Sequence, residues 1–431
     1  MKICVQGLWH LGSVTAACLA SKGHEVIGLD FNASVIIDLN NGKPPIFEPG
    51  LEHLIHSALK NNAISFVSAP PNNIDFLWVT YDTPVNEDDN ADVNFVMDQI
   101  KSMVDALAPN ATVLISSQMP VGSIKKLEKY FFNVCPEKNI GFACSPENLR
   151  LGNAINIFLN PDRIVVGTRS ERDKNKIQKI LSAITDKIEW MSVESAEMTK
   201  HAINAFLATS VVFANEIATI CEITGADAKE VERGLKTEQR IGPRAYLSPG
   251  VAFSGGTLAR DIEFLKEVSS GANISLLSSV KTSNDNHKLW TRKKLLQLFK
   301  QKEKFKSPLD DVNITIWGIT YKAGTDTLRR SLSVDLCNWL LQHKTNVTVH
   351  DPVVKELPVE WSGIVNRCFS IDQSLDDAQV LIIETGWEEY KNYFKSHPPP
   401  NNLIIIDPNR YSAYLSDNKN INYVSVGTPL K

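Results

Sequence analysis

KICVQGLWHLGSVTAACLASKGHEVIGLD, residues 2–30, decides the fold of this chain. KICVQG (2–7) reads as a short buried strand. The turn Gly7-Leu8-Trp9-His10-Leu11-Gly12 then opens an amphipathic helix ending at Gly23, and HEVIGLD, ending at Asp30, is the next strand. A strand, a glycine turn, a helix and a second strand within about 30 residues form a β-α-β unit. The turn has the layout of a dinucleotide site. Gly7 allows a tight turn, and the helix start offers unsatisfied N–H groups and a positive dipole end to a pyrophosphate. Asp30, 23 residues after Gly7, places a carboxylate for ribose hydroxyls. It would repel a 2′-phosphate, so the expected cofactor is NAD rather than NADP. The departure is Trp9, where the pattern Gly-x-Gly-x-x-Gly has a glycine that lets the backbone approach the pyrophosphate. Its indole must therefore point away from the phosphates. The turn alone leaves open an α/β sheet that binds no dinucleotide.

The strand–helix alternation continues. Further strands are expected at Asp75–Val79, Thr112–Ser116, Ile140–Ala143 and Ile164–Gly167, giving a mainly parallel sheet wound on both faces. Near Ser192 the pattern turns helical, with one long helix from Glu194 to Gly225 and others at Asp227–Lys236 and Thr257–Ser270. After the polar stretch QKEKFKSPLDD (301–311), NITIWG, NVTVHDP, VLIIET and LIIID supply strands of a second, smaller α/β sheet, with a helix around Ser333–Gln342. The expected fold is α/β: an NAD-binding Rossmann domain over 1–192, a central helical, dimerising region over 193–300, and a Rossmann-like domain over 301–431.

The 431 residues carry a net charge of −4, and 43% are hydrophobic and 22% charged. That is an ordinary globular balance, with no pull toward nucleic acid or an anionic membrane. No apolar run approaches about 18 residues, so no membrane span is expected. Seven scattered cysteines, without a Cys-x-x-Cys pair, fit a reducing cytoplasm and argue against a zinc site or a disulfide frame.

Ordered motifs along nearly the whole chain resemble the UDP-glucose/GDP-mannose dehydrogenase family. They are FEPGL (47–51), Asp82-Thr83-Pro84, Pro120-Val121-Gly122, Ser145-Pro146-Glu147-Asn148-Leu149, Asn160-Pro161-Asp162-Arg163, Lys200 and Asn204 before Ala205-Phe206-Leu207, Arg240-Ile241-Gly242, Gly255, Asp261, Lys322, Thr325, Arg329, Thr385 with Trp387, and Ile406-Asp407. The resemblance implies a nucleotide-sugar substrate and a homodimer built through the middle helices. It also implies a double oxidation of a sugar alcohol through a cysteine thioester to a carboxylate, reducing two NAD.

Lys200 and Asn204 lie four apart and share a helix face; an ammonium and an amide there suit an alkoxide or developing oxyanion. A solvated lysine and a surface asparagine are the plain alternative. The resemblance adds Asp261 as the carboxylate working with the lysine in proton transfer, and Glu147 as the substrate-side, water-activating carboxylate. For the cofactor it implies Gly7, Trp9, His10, Leu11, Gly12, Asp30, Thr83, Gln118, Glu147, Arg260 and Arg329. For the substrate it implies Asn148, Leu149, Lys200, Asn204, Arg240, Tyr246, Ser248, Gly250, Phe253, Gly255 and Lys322.

The departure with chemical consequence is Thr257. In FSGGTLARD (253–261) it stands where the family has its nucleophilic cysteine. A thiol can be drawn to thiolate near neutral pH, whereas a threonine hydroxyl needs a dedicated base. Thr257 is expected to hydrogen-bond substrate or to cap a helix, and Cys144 to end a buried strand. Gln118 for Thr, Leu151 for Glu, Arg260 for Lys and Val35 for a basic residue alter the same site. Three readings stand at this point: a single alcohol–carbonyl oxidoreduction, a full oxidation to the uronate without covalent catalysis, and a non-catalytic nucleotide-binding paralogue.

Overall fold

The computed structural model describes residues 1–84, 91–147, 149–254, 256–300 and 307–430. The chain divides into two compact units, Met1–Ile203 and Asn204–Lys431.

The first unit carries eight strands: β1 (Ile3–Gln6), β2 (Val26–Leu29), β3 (Ile64–Val67), β4 (Ile74–Val79), β5 (Leu107–Ile115), β6 (Gly141–Cys144), β7 (Ile164–Thr168) and β8 (Ile188–Met191). Their order in the sheet is β3-β2-β1-β4-β5-β6-β7-β8. All pairs are parallel except β6 with β7. Strand side chains alternate between faces, and this sheet is buried on both. Ile3 and Val5 enter one core and Cys4 the other. The helix expected after the glycine turn spans His10–Ser21, and Gly23 follows it with φ +88°. β3 and β8 escape a reading by periodicity, being four residues each with one exposed polar position (Ser65, Glu189).

The second unit has a six-stranded, wholly parallel sheet of β9 (Asn313–Trp317), β10 (Asn346–His350), β11 (Val365–Arg367), β12 (Val380–Ile383), β13 (Ile404–Ile406) and β14 (Asn422–Val424). Its order is β11-β10-β9-β12-β13-β14. The helices expected in the middle of the chain lie at Ala228–Thr237 and Gly256–Val268, and a further pair, Ser275–Lys288 and Trp290–Leu298, follows them without a clear apolar period. Their alternation is broken by polar residues that the fold buries, such as Asn284 and Lys294.

The long helix, Val193–Thr224, runs past the division between the units. By length and composition it is apolar enough to cross a membrane, although its sequence gives no such expectation. Scattered polar residues break the run without lowering the average enough to matter.

One buried carboxyl in the second unit gives a measurable pH dependence. Glu384 follows β12 and lines a cavity of about 150 Å³ with Thr291 and His287. Burial pushes its carboxyl up to about 7, with Asp407 adding to the rise and the Thr291 hydroxyl opposing it. The raised group favours the folded state fully below its ordinary value of 4.5, and this contribution is lost as pH rises through about 7. The loss amounts to about 3 kcal/mol. Melting temperature should fall across that window, and Glu384→Gln, which keeps the shape without the charge, should flatten the profile. An unchanged slope in the variant would show that another group sets it.

Candidate active site

The glycine turn is built for close approach. Gly7 has φ +92°. A Cβ on Gly12 would lie 1.9 Å from the Gly7 carbonyl oxygen and 2.7 Å from the Thr80 hydroxyl. The Thr80 hydroxyl is itself 2.9 Å from the carbonyl oxygens of Gln6 and Gly7. Asp30 accepts from the Leu8 N–H at 2.8 Å and the Asn32 N–H at 2.9 Å, so its carboxylate is held at the lip of the turn. Trp9 immediately precedes the helix, with no side-chain cap bond, and is 48% exposed. The backbone N–H groups of His10, Leu11 and Gly12 have no acceptor within their own helix. The turn thus fits a dinucleotide despite Trp9. His10 is 2.9 Å from Glu48, a buried carboxylate that also accepts the Gly152 and Ala154 N–H groups at 2.8 Å each. Glu48 lies in the quoted FEPGL segment, but nothing in its spacing announces that it ties the turn to the segment after Glu147.

Three parts of the first unit place the polar groups. Thr83 donates to the Gln118 carbonyl at 2.5 Å. Glu197 on the long helix accepts from the Gly122 and Ile124 N–H groups at 2.8 and 3.1 Å, and His201 Nε2 donates to the Met119 carbonyl at 2.9 Å. The helix that carries Lys200 therefore grips the loop that carries Gln118. Glu197, Lys200, His201 and Asn204 follow the spacing of one helix face, a signal available in the sequence and read only at Lys200 and Asn204. Burial pushes the Glu147 carboxyl above its ordinary value, opposed first by the Lys200 ammonium and then by the Leu149 N–H. Glu147 and Lys200 thus sense one another, and Leu149 packs onto the first core. Cys144 ends β6, buried, and burial raises its thiol pKa.

In the second unit the Asn204 amide donates to the Asp261 carboxylate. Asp261 is fully buried and lies 3.8 Å from the Arg260 guanidinium. It is in the interior of the helix Gly256–Val268, not at its N-terminus. Thr257 is the second residue of that helix rather than its cap, and it is exposed. The segment before the helix is fixed by local pairs. Ser248 donates to Glu232 at 2.6 Å, Gly250 N–H to Asn215 at 2.9 Å, and Phe253 N–H to Asn284 at 2.9 Å. Tyr246 is exposed and close enough to Tyr321 to raise its hydroxyl pKa, after burial. Lys322 and Arg329 are exposed, and Arg240 forms an exposed pair with Glu238 at 2.9 Å. Asn148 and Gly255 lie outside the described residues. One residue not singled out from the sequence is Arg330. Its guanidinium Nη1 would be 2.2 Å from a Cβ placed on Gly256.

Comparison with known proteins identifies the family. Three profiles of the UDP-glucose/GDP-mannose dehydrogenase family match in order: its NAD binding domain over residues 1–185, its central domain over 194–286 and its UDP binding domain over 315–411. A UDP-glucose 6-dehydrogenase of Rickettsia bellii is 30% identical over 422 residues, covering 94% of each chain. That of Pseudomonas aeruginosa is 27% identical, covering 91% of this chain and 89% of its own. Among solved structures, a UDP-glucose dehydrogenase from Pyrobaculum islandicum superposes with a TM-score of 0.84 at 25% identity, covering 99% of this chain and 98% of its own. A UDP-D-ManNAc dehydrogenase from Pyrococcus horikoshii shares the fold, with a TM-score of 0.83 at 23% identity and 99% of both chains covered. NAD is accordingly the cofactor of the first unit. With three domain profiles in register and a dinucleotide turn of the right geometry, this chain belongs to the UDP-glucose/GDP-mannose dehydrogenase family, as an NAD-dependent dehydrogenase.

Proposed function

We propose that this chain catalyses one two-electron interconversion of an alcohol and a carbonyl on a nucleotide-linked sugar, and stops there. The observation that carries this reading is Thr257. Its hydroxyl is exposed at the start of a helix, and among the described residues it makes no hydrogen bond to any base. The Arg330 guanidinium, which lies against Gly256, cannot accept a proton. A covalent thioester route has no nucleophile here.

The residues needed for the first oxidation are present. NAD, when bound, supplies the hydride acceptor. Lys200 offers an ammonium to the developing alkoxide. Asn204 orients the Asp261 carboxylate through its amide, and Asp261 is assigned the hydroxyl proton. Glu147, with its carboxyl raised by burial, holds a proton closer to neutral pH than an exposed glutamate would. Gly7, Gly12 and Asp30 seat the cofactor, with Thr83 and Gln118 on the adjoining loops. Tyr246, Ser248, Gly250, Phe253, Lys322 and Arg240 are assigned to the nucleotide sugar.

The test is stoichiometry. One NADH per sugar consumed and a product lighter by two hydrogens are expected. Two NADH and a newly formed uronate would overturn the reading. Thr257→Cys restores a thiol at the helix start and should shift the count from about one toward two, provided the rest of the acylation chemistry remains.

The same reading assigns a homodimer. Phe206, Phe213 and Ile220 recur every seventh residue along the long helix and are 68%, 45% and 54% exposed. A stripe of this kind marks an association face. Sedimentation should give twice the chain mass, and Phe213→Glu should shift it toward the monomer; a monomeric parent would remove the assignment.

A further inference from the structure

We propose that Thr15 positions the Glu147 carboxyl through water held in a cavity that both residues line. The inference rests on the reading of Glu147 as an active-site carboxyl, and it adds the group that holds that carboxyl from inside the first unit.

The first observation is the cavity. It has a volume of about 80 Å³, and its polar lining comes from Thr15, Trp78, Ser116, Ser145 and Glu147. Thr15 is on the helix His10–Ser21, Trp78 on β4, and Ser116 and Ser145 directly follow β5 and β6. At about 30 Å³ per molecule the space takes two or three waters, and polar walls favour hydration where apolar ones stay dry. The second observation is the hydrogen bonding of that lining. Trp78 Nε1 donates to the Ser116 hydroxyl at 2.9 Å, Ser116 to the Ser145 carbonyl at 2.6 Å, and the Ser145 hydroxyl to the Val165 carbonyl at 3.1 Å. These donors are committed within the wall. The Thr15 hydroxyl is not. It is fully buried and has no hydrogen-bond partner among the described residues, not even a carbonyl of the preceding helical turn, which a threonine can take. A buried hydroxyl left so is costly, and internal water is what ordinarily completes it.

The third observation is Glu147 on the same cavity. Its Oε2 accepts the Leu149 N–H, and an ionised carboxyl has lone pairs for further donors. The charged groups that act on it are Lys200 from the long helix, Asp82 after β4 and His10 at the start of the cofactor helix. Arg163, before β7, lines the cavity as well. These groups set the charge balance around Glu147 without fixing its direction. A water that accepts from the Thr15 hydroxyl and donates to the carboxylate does fix it, and it favours the ionised form. The bridge thereby restrains the rise that burial imposes on this carboxyl.

Two variants of the full chain test the bridge. Thr15→Val removes the hydroxyl at nearly constant volume, and Thr15→Ser keeps it. The readout is an infrared difference titration of the Glu147 carboxyl without substrate, its band identified by its loss in Glu147→Gln, together with melting curves. Thr15→Val should move the titration to higher pH by about one pH unit and lower the melting temperature. Thr15→Ser should titrate like the parent chain. A crystal structure of the parent should show water within hydrogen-bonding distance of both Thr15 Oγ1 and the Glu147 carboxyl. A dry cavity gives the opposite result, because a methyl group is better than an unpartnered hydroxyl there. Thr15→Val would then melt no lower than the parent and leave the titration in place, which would overturn the proposal. A lower melting temperature with an unmoved titration would reduce Thr15 to a packing role and overturn it too, as would equal shifts in Thr15→Val and Thr15→Ser. The titration is read without turnover. Full activity in Glu147→Gln would therefore remove the active-site reading of Glu147, while the Thr15 bridge would still be decided by its own data.

Discussion

Lys200→Ala is expected to lower turnover by about 10²- to 10⁴-fold, the range for removing a positioned proton-transfer or oxyanion-stabilising group. Lys200 sits one helical turn before Asn204, whose amide holds Asp261, so the substitution leaves that pair in place. It also removes the main charge opposing the rise of the Glu147 carboxyl. Two readouts should therefore move together. The rate should fall, and the limb of the pH–rate profile governed by Glu147 should shift to higher pH. Lys200→Arg should keep the Glu147 limb near its original position, because the positive charge remains, yet recover little of the rate, because a planar guanidinium does not reproduce a point-like ammonium. Turnover unchanged in Lys200→Ala would remove the lysine from the chemistry.

Gly12→Ala is expected to abolish measurable NAD binding and to cost the first unit more than about 3 kcal/mol of stability, at the upper end of what overpacking does. The added methyl would meet the Gly7 carbonyl oxygen at 1.9 Å and the Thr80 hydroxyl at 2.7 Å. Neither is the far end of a flexible side chain. The helix His10–Ser21 would have to lift from β1, carrying its first N–H groups away from the pyrophosphate position. Fluorescence titration with NADH and thermal melts read the two effects separately. Gly23→Ala is the control for general glycine loss, since a Cβ there meets nothing within 4 Å, although its φ of +88° carries some backbone strain. Equal behaviour of the two variants would show that close packing at Gly12 is not what matters.

The cofactor half of the site was legible because it is local. Gly7, Gly12 and Asp30 fall within one β-α-β unit, and each is required by a backbone condition that sequence spacing expresses. Trp9, in place of the pattern's second glycine, is 48% exposed. The shared helix face of Lys200 and Asn204 was legible through their four-residue spacing. Glu197 and His201 on the same face were passed over, since their partners, Gly122, Ile124 and Met119, lie more than 70 residues away. Thr257 was visible as a substitution, but the guanidinium against Gly256 was not. The long helix was placed correctly, whereas its apolar character was underestimated because interrupted runs still average high.

The sequence by itself determined the alternation of strands and helices, the glycine turn with its carboxylate, and the replacement of a thiol by a hydroxyl at position 257. These depend on side-chain periodicity, backbone freedom and functional-group chemistry, all carried by neighbours in the chain. Only the tertiary structure decided that Glu48 anchors His10, that burial raises the Glu384 carboxyl, and that Arg330 lies against Gly256. Each of these depends on groups dozens of residues apart being brought within a few ångströms, where desolvation and charge act. No local pattern encodes that distance.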